Sequence, residues 1–374
     1  MKVLIMRAMR GEYPSMDVYA DGLAAGLRQA FPEWTVEEVE PRNLPNTHLQ
    51  SRPARALNGV KRYLDRFLAY PIRTLARDAD IIHVMSDHYF HVARFPRLRG
   101  QKVVATCHDL IYYRFPQNIR QFATFLQISR AAQEFCMRSL RSCDHVITLS
   151  QDNVRDLEAI LGVKPDKVSV IHNAVPAHFH PGAATDKAAA RQKLDLPSDK
   201  FCIMHVGTVE PRKNVDTILK ALVTLKDENV VFVKAGIAFT PAQQAFIAEH
   251  HLAGAIRHLG KVPNMEMVAV YHASDALIFP SLYEGFPFPI GEAMASGVPV
   301  ITSTASSLPE VAGGAALLVD PLEVDQVVAA VRSLAADPAL RDDLVHRGRE
   351  RVSRLNWVEN ARQVGAEYER IPGK

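Results

Sequence analysis

Short apolar runs of five to nine residues alternate with helical patterns along nearly the whole 374-residue chain. In the first half they are KVLIM (2–6), TVEEVEP, IIHVMS (81–86), VVATCHD (103–109), HVITLS (145–150) and KVSVIHNAV (167–175). After a break come FCIMHVG (201–207), VVFVKAG (230–236), IRHLG (256–260), ALIFPS (276–281), PVITS (299–303) and ALLVD (316–320). A strand covered on both faces needs an unbroken apolar run, and a parallel neighbour is reached through a crossover long enough to hold a helix. The rhythm therefore predicts an α/β chain with doubly wound parallel sheets.

The break, PAHFHPGAATDKAAARQKLDLPSDK from Pro176 to Lys200, is rich in Pro, Ala and charge and reads as a connector with one short helix. A domain boundary belongs there, giving a first Rossmann-like domain over 1–176 and a second over 177–355. From Val324 onward the patterns are helical only, broken at Pro338 and near Asn356. Two such domains facing each other enclose a cleft at the carboxyl ends of their strands, where open α/β sheets bind ligands.

Hydrophobic residues make up 48% and charged residues 23% of the chain, and no apolar run reaches the roughly 18–20 residues that span a bilayer. The opening MKVLIMRAMRG lacks the apolar core of a signal peptide, and Cys107, Cys136, Cys143 and Cys202 have neither zinc-site nor disulfide-framework spacing. The expectation is a cytoplasmic, reducing location. The net charge of +3 conceals a basic first half, concentrated between Ser51 and Arg77, where seven Lys and Arg side chains face Asp65 alone. Such a segment suits peripheral contact with an anionic membrane surface through Arg52 to Arg77, or a phosphate-bearing substrate, or simply a solvated helix face. No nucleic-acid module is recognisable, so nucleic acid is not expected as a partner.

The densest signal is LYEGFPFPIGEAMASGVPV, Leu282 to Val300, which follows the run ALIFPS. Strand, tight loop and helix start bring backbone N–H groups and the positive end of a helix together, an arrangement suited to phosphate. Glu284 falls in the loop and Glu292 is expected in the first helical turn. A carboxylate beside a phosphate repels it, so Glu292 is better used on ribose hydroxyls, and Glu284 on a sugar or the reacting centre. Taken singly, each would pass as helix-terminus charge or a loop cap.

Glu284, Gly285, Phe286, Pro289, Glu292, Ala293, Met294 and Gly297 to Val300 resemble the E-x7-E signature of retaining glycosyltransferases of family four, which have the GT-B fold. The resemblance implies two facing Rossmann-like domains, an amino-terminal one for the acceptor and a carboxyl-terminal one for a nucleotide-sugar donor. NWVENA near Trp357 is similar to the start of the family's last helix, which implies that 356–374 crosses back to the first domain. By the same resemblance Glu284 lies near the donor sugar and Glu292 binds the ribose. HVGTVEPRKNVDTILKAL is similar to the family's G-x-x-x-x-x-K-[GN] segment, implying that Arg212 and Lys213, after Gly207, hold the diphosphate. A basic pair at a strand end can neutralise a pyrophosphate and stabilise its departure. The backbone at Lys261 and Val262 is implied for the base, the loop Gly285, Phe286, Pro287 and Phe288 for the donor, and His108 in TCHDL for contact with the donor sugar. TLSQDNVRDL (148–157) resembles a join that lines the acceptor side.

The chain departs from the family at Pro287, usually Gly, which removes a backbone donor, and at Gly291, usually bulky and apolar. Its first βα loop, MRGEYPSMDVYADGL, has Gly11 where paired glycines are often found. No DxD motif stands in the cleft, since DADIIH (78–83) precedes a strand and so lies at the wrong end, and no metal cofactor is expected. Arg212, Lys213 and the helix start can supply the same electrostatics. The expected activity is retaining, metal-independent transfer of a hexose from a nucleotide-diphosphate sugar, with UDP-glucose favoured, to a polysaccharide or lipid-linked glycan acceptor. GDP-mannose-dependent mannosyl transfer, a sugar-nucleotide epimerase of the same architecture, and an inactive nucleotide-sugar-binding scaffold are the alternatives.

Overall fold

The computed structural model describes residues 1–11, 14–42, 52–95, 100–115 and 130–371. Glu12 and Tyr13 of the first loop and Ser51 of the basic segment lie outside them, as do the side chains of Arg52 and Arg55. The chain forms two compact units, one of Met1–Ala174 with Trp357–Lys374, the other of Val175–Asn356.

The first unit holds β1 (Lys2–Met6), β2 (Thr35–Val39), β3 (Ile81–Val84), β4 (Lys102–Cys107), β5 (His145–Thr148) and β6 (Val168–Val170), in the order β2-β1-β3-β4-β5-β6. All its pairings are parallel. Leu4, Ile82, Val84, Val103, Ala105 and Val146 project from these strands into one core cluster, which explains the unbroken apolar runs. Arg7, at the carboxyl end of β1, is buried but compensated by Asp17 (3.0 Å), Asp21 (2.6 Å) and Glu38 (2.7 Å).

The helix Trp357–Arg370 packs against the helix Pro14–Ala30 of the same unit. Glycine makes the close approach: a Cβ on Gly26 would sit 2.3 Å from the Trp357 carbonyl oxygen, and one on Gly22 would sit 2.2 Å from the Trp357 ring. Tyr368 is fully buried from this helix.

The second unit holds β7 (Phe201–Gly207), β8 (Val230–Gly236), β9 (Ile256–Gly260), β10 (Ala276–Phe279), β11 (Val300–Ser303) and β12 (Leu317–Val319). Its order is β12-β11-β10-β7-β8-β9, again parallel throughout. The chain winds outward from β7 through β8 to β9, then returns to pair β10 on the other side of β7. The gap between the carboxyl ends of β7 and β10 is thus the topological switch point of this sheet, where such folds bind ligands. The connector contributes the helix Ala184–Lys193. The helices Val324–Ala336 and Pro338–Ser353 follow β12, with Asp337 ending one and capping the other by accepting from the Leu340 amide at 3.0 Å. No helix among the described residues is long and apolar enough to cross a membrane.

Candidate active site

The switch point of the second unit collects the chemistry. β7 ends at Gly207, and a single turn of 3-10 helix, Pro211–Lys213, presents Arg212 and Lys213. Asn214 adopts a left-handed conformation (φ 55°), and its side-chain amide donates to the carbonyls of Pro280 (3.0 Å) and Pro321 (2.7 Å). These bonds lock the basic turn to the residues that follow β10 and β12. The Leu282 amide donates to the Arg212 carbonyl at 2.7 Å and closes the join from the other side.

Glu284 and the basic pair meet as a buried triad. Lys213 Nζ lies 2.6 Å from Glu284 Oε1 and Arg212 Nη1 lies 2.9 Å from Oε2. Arg212 Nε also binds Glu210 at 2.8 Å. Burial pushes the Glu284 carboxyl up, but the Lys213 ammonium and Arg212 guanidinium outweigh it and hold the group below the ordinary carboxylate range. Glu284 is therefore ionised. Its own carbonyl accepts from Ser306 Oγ (3.0 Å) and Ser307 Oγ (2.7 Å), which fixes the loop. Lys213 Nζ also lies 4.8 Å from the centroid of the Phe279 ring.

Two further buried polar atoms face this corner. His205, on β7, donates from Nδ1 to the Ile278 carbonyl at 3.1 Å, which leaves Nε2 as an acceptor with no protein partner. Burial pulls its pKa down to about 3, so the ring is neutral. Thr208 Oγ1 is likewise buried and unpartnered. Orphaned polar atoms at a strand end mark a place a ligand or water completes. Across the β7–β8 edge, Gly236 has φ +111°, and a Cβ there would stand 2.2 Å from the Gly207 carbonyl oxygen, so the two strand ends close on each other only with glycine.

Glu292 lies one turn further along than expected. The helix runs Phe288–Ala295, so Glu292 is its fifth residue rather than part of the first turn. Pro287, at φ −81° and ψ 80°, is the centre of an inverse γ-turn closed by the Phe288 amide on the Phe286 carbonyl at 3.1 Å, and this turn delays the helix start. Tyr271 Oη donates to Glu292 Oε2 at 2.7 Å. Burial pushes the Glu292 carboxyl up to about 7, opposed by that hydrogen bond. Gly291 is required by packing, since a Cβ would lie 2.6 Å from Val175 Cγ2. Phe286 is buried and meets Phe288 edge to face at 5.3 Å. Gly285 links Glu284 to this aromatic pair. Lys261 is exposed and Val262 half-buried, directly after β9.

In the first unit His108 follows β4. Its Nε2 donates to the Met85 carbonyl at 3.1 Å, its carbonyl accepts from Asn153 Nδ2 at 3.0 Å, and the Tyr19 ring packs edge-on at 4.9 Å. Burial lowers its pKa to about 4, so this imidazole is neutral with its proton on Nε2. Behind it runs a buried chain: Tyr368 Oη to His83 Nδ1 (2.5 Å), His83 Nε2 to Thr106 Oγ1 (2.7 Å), and Thr106 Oγ1 to Tyr19 Oη (3.0 Å). Sequence reasoning left His83 without a role and did not single out Tyr19, Tyr271, His205, Glu210 or Tyr368. His83 and His205 carried a readable signal, a polar residue inside an apolar strand run. The others read only as core or surface. Among the described residues no three His, Cys, Asp or Glu side chains gather as a metal site, and the four cysteines are buried and free.

Two parallel six-stranded Rossmann-like sheets, the second with a buried basic pair and a carboxylate at its switch point, define the GT-B class. Residues 7–179 match the family model Glycosyltransferase Family 4, and residues 186–351 match Glycosyl transferases group 1. Together the matches support a glycosyltransferase of the family-four type. Relatives include O-antigen chain mannosyltransferase B of Escherichia coli, 27% identical over 77% of this chain and 76% of its own length. Another is the MMP alpha-(1->4)-mannosyltransferase of Mycolicibacterium hassiacum, 25% identical over 96% and 84%. Among solved structures, sucrose-phosphate synthase from Thermosynechococcus elongatus superposes with a TM-score of 0.75 at 21% identity, covering 99% of each chain. Anabaena HepE in complex with UDP and glucose gives 0.76 at 16%, also over 99% of each. At such identities the structural likeness speaks to the fold.

Proposed function

We propose that this chain is a retaining hexosyltransferase that takes its sugar from a nucleotide diphosphate and passes it to a polysaccharide or lipid-linked glycan. The observation that carries the reading is the buried Arg212–Glu284–Lys213 triad at the β7–β10 switch point. Arg212 and Lys213 bind the diphosphate and stabilise the charge that develops as the C1–O bond to phosphate breaks. Glu284 and neutral His108 orient the sugar, and Glu292 accepts from the ribose hydroxyls. An acceptor hydroxyl attacks C1 from the face the phosphate leaves, and its proton passes to the departing phosphate oxygen. The two cations supply the charge stabilisation without a metal ion. The donor-binding backbone is that of Gly207, Lys261, Val262 and the loop from Gly285 to Phe288.

Mannosyl transfer from GDP-mannose is the first donor reading, because O-antigen chain mannosyltransferase B and the Mycolicibacterium mannosyltransferase are among the relatives. UDP-glucose is the second, because the fold neighbour HepE was solved with it. Calorimetric titration with GDP, UDP and ADP, repeated on Arg212→Ala and Glu292→Ala, tests the site and chooses the donor. Binding of one nucleotide that both substitutions weaken supports the reading. Binding of none, or binding indifferent to both, removes these residues from the site.

A further inference from the structure

The basic segment of the first unit carries an exposed apolar face. Its helical run is continuous from Arg52–Leu64 through a π turn, Asp65–Ala69, into Tyr70–Leu75. One side is anchored. Tyr70, Pro71 and Thr74 are buried, and Tyr70 Oη donates to the carbonyls of Arg7 (2.9 Å) and Val39 (2.6 Å). The other side presents Val60, Leu64, Leu68 and Ile72, four residues apart and 49%, 51%, 50% and 55% exposed. A row spaced by four drifts around an α-helix, because a turn takes about 3.6 residues. The i→i+5 turn at Asp65–Ala69 winds more residues per turn and slows that drift.

The apolar surface continues through aromatic rings. Tyr63 packs on Phe67 at 4.6 Å, Phe67 on His91 at 4.9 Å, and His91 lies 6.2 Å from Phe135, itself 44% exposed. At its border stand Lys61 and Arg62, with Arg73 engaged by Asp65 at 2.8 Å and Arg77 by Glu37 at 3.5 Å, while Arg66 turns inward and donates from Nε to the His88 carbonyl at 3.2 Å. A helix with aliphatic side chains on its free face and a cationic border matches the boundary between headgroups and acyl chains of an anionic bilayer.

We propose that Val60, Leu64, Leu68 and Ile72 insert into the surface of a membrane containing anionic phospholipid, docking this unit without spanning the bilayer. The charge favours a lipid surface over a second copy of the chain, because a two-fold contact on this face would set the same cationic border against itself. Docking would hold the protein where a lipid-linked acceptor is presented. Docking itself would not depend on which donor the protein uses.

Flotation with vesicles of phosphatidylcholine and phosphatidylglycerol, against phosphatidylcholine alone, tests the proposal. The protein should float with the anionic vesicles, less so as salt rises. Leu64→Ser with Leu68→Ser should weaken binding roughly tenfold, and Lys61→Glu with Arg62→Glu by at least about tenfold. Circular dichroism and nucleotide titration unchanged in both variants would show that they fold. No binding to anionic vesicles, equal binding to both kinds, or wild-type binding by the leucine variant would overturn the proposal. So would light scattering that finds a dimer which the leucine variant dissolves. Failure of nucleotide titration alone, with flotation intact, would remove the glycosyltransferase mechanism and leave this surface standing.

Discussion

If Glu292 accepts from two ribose hydroxyls while Tyr271 also donates to it, the carboxylate is the form that can do so, yet its environment pushes the carboxyl up to about 7. Donor binding is then linked to loss of a proton, and affinity should fall on the acid side. With a free-state value of about 7 and a bound-state value well below 6, the dissociation constant at pH 6 should be about tenfold higher than at pH 8. Glu292 keeps part of its surface in water, which trims the expected ratio toward about threefold at the least. The assay is calorimetric titration with GDP-mannose and UDP-glucose, whose phosphates are diesters and do not titrate in this range. Repeating it at pH 6 in two buffers of different ionisation heat counts the proton released, which should approach one. Glu292→Gln should bind more weakly with no slope. A flat affinity from pH 6 to 8 in the wild type, or the same slope in Glu292→Gln, would refute the linkage. The stability of the free protein should move in the opposite sense. A carboxyl raised above its ordinary 4.5 contributes stability fully present below that value and lost as pH rises through about 7. Glu292→Gln should therefore raise the melting temperature at pH 8 relative to the wild type and leave it nearly unchanged at pH 4.

Lys213→Met leaves Glu284 buried with Arg212 as its remaining cation, and urea denaturation should find a loss of about 3 kcal/mol, the low end for a broken buried pair. Tyr368→Phe strips the partner from His83 Nδ1, which should cost about 1–3 kcal/mol in the same measurement. Gly26→Ala drives a Cβ to 2.3 Å from the Trp357 carbonyl oxygen, a backbone clash that cannot be rotated away. The Trp357–Arg370 helix should then loosen, seen as faster tryptic cleavage at its arginines and a loss of about 2–4 kcal/mol.

The inner strands were legible because a parallel strand covered on both faces spells itself as an apolar run, as FCIMHVG and VVFVKAG do for β7 and β8, whereas the partly exposed outer strands β2 and β9 were placed by the βα rhythm. The meeting of Arg212, Lys213 and Glu284 was foreshadowed by their strand ends, since β7 and β10 are neighbours in a doubly wound sheet. The donor of the Tyr271–Glu292 bond was hidden, because a tyrosine 21 positions upstream in an apolar helix reads only as core. The helical turn of Glu292 was misplaced because LYEGFPFPIGEA carries no signal that separates an inverse γ-turn from the first turn of a helix. Tyr368 and His83 lie 285 positions apart, and only the glycine-mediated approach of two helices to one sheet brings them together. The exposed row from Val60 to Ile72 was masked by the arginines between its members, which drew the reading toward charge.

The triad also says what binding must do. Glu210 and Glu284 balance Arg212 and Lys213 charge for charge. Without Glu284 a buried lysine beside an arginine would be strongly unfavourable, so the carboxylate that faces the sugar in the proposed mechanism also stabilises this corner of the fold. In the proposed mechanism an incoming diphosphate would add negative charge to this balanced set and draw the two cations toward itself, loosening their hold on Glu284. The carboxylate freed in that exchange would become available to sugar hydroxyls as the phosphate is seated. Phosphate capture and sugar orientation are then a single rearrangement of one network, and a nucleotide lacking its diphosphate should leave Glu284 bound to its cations.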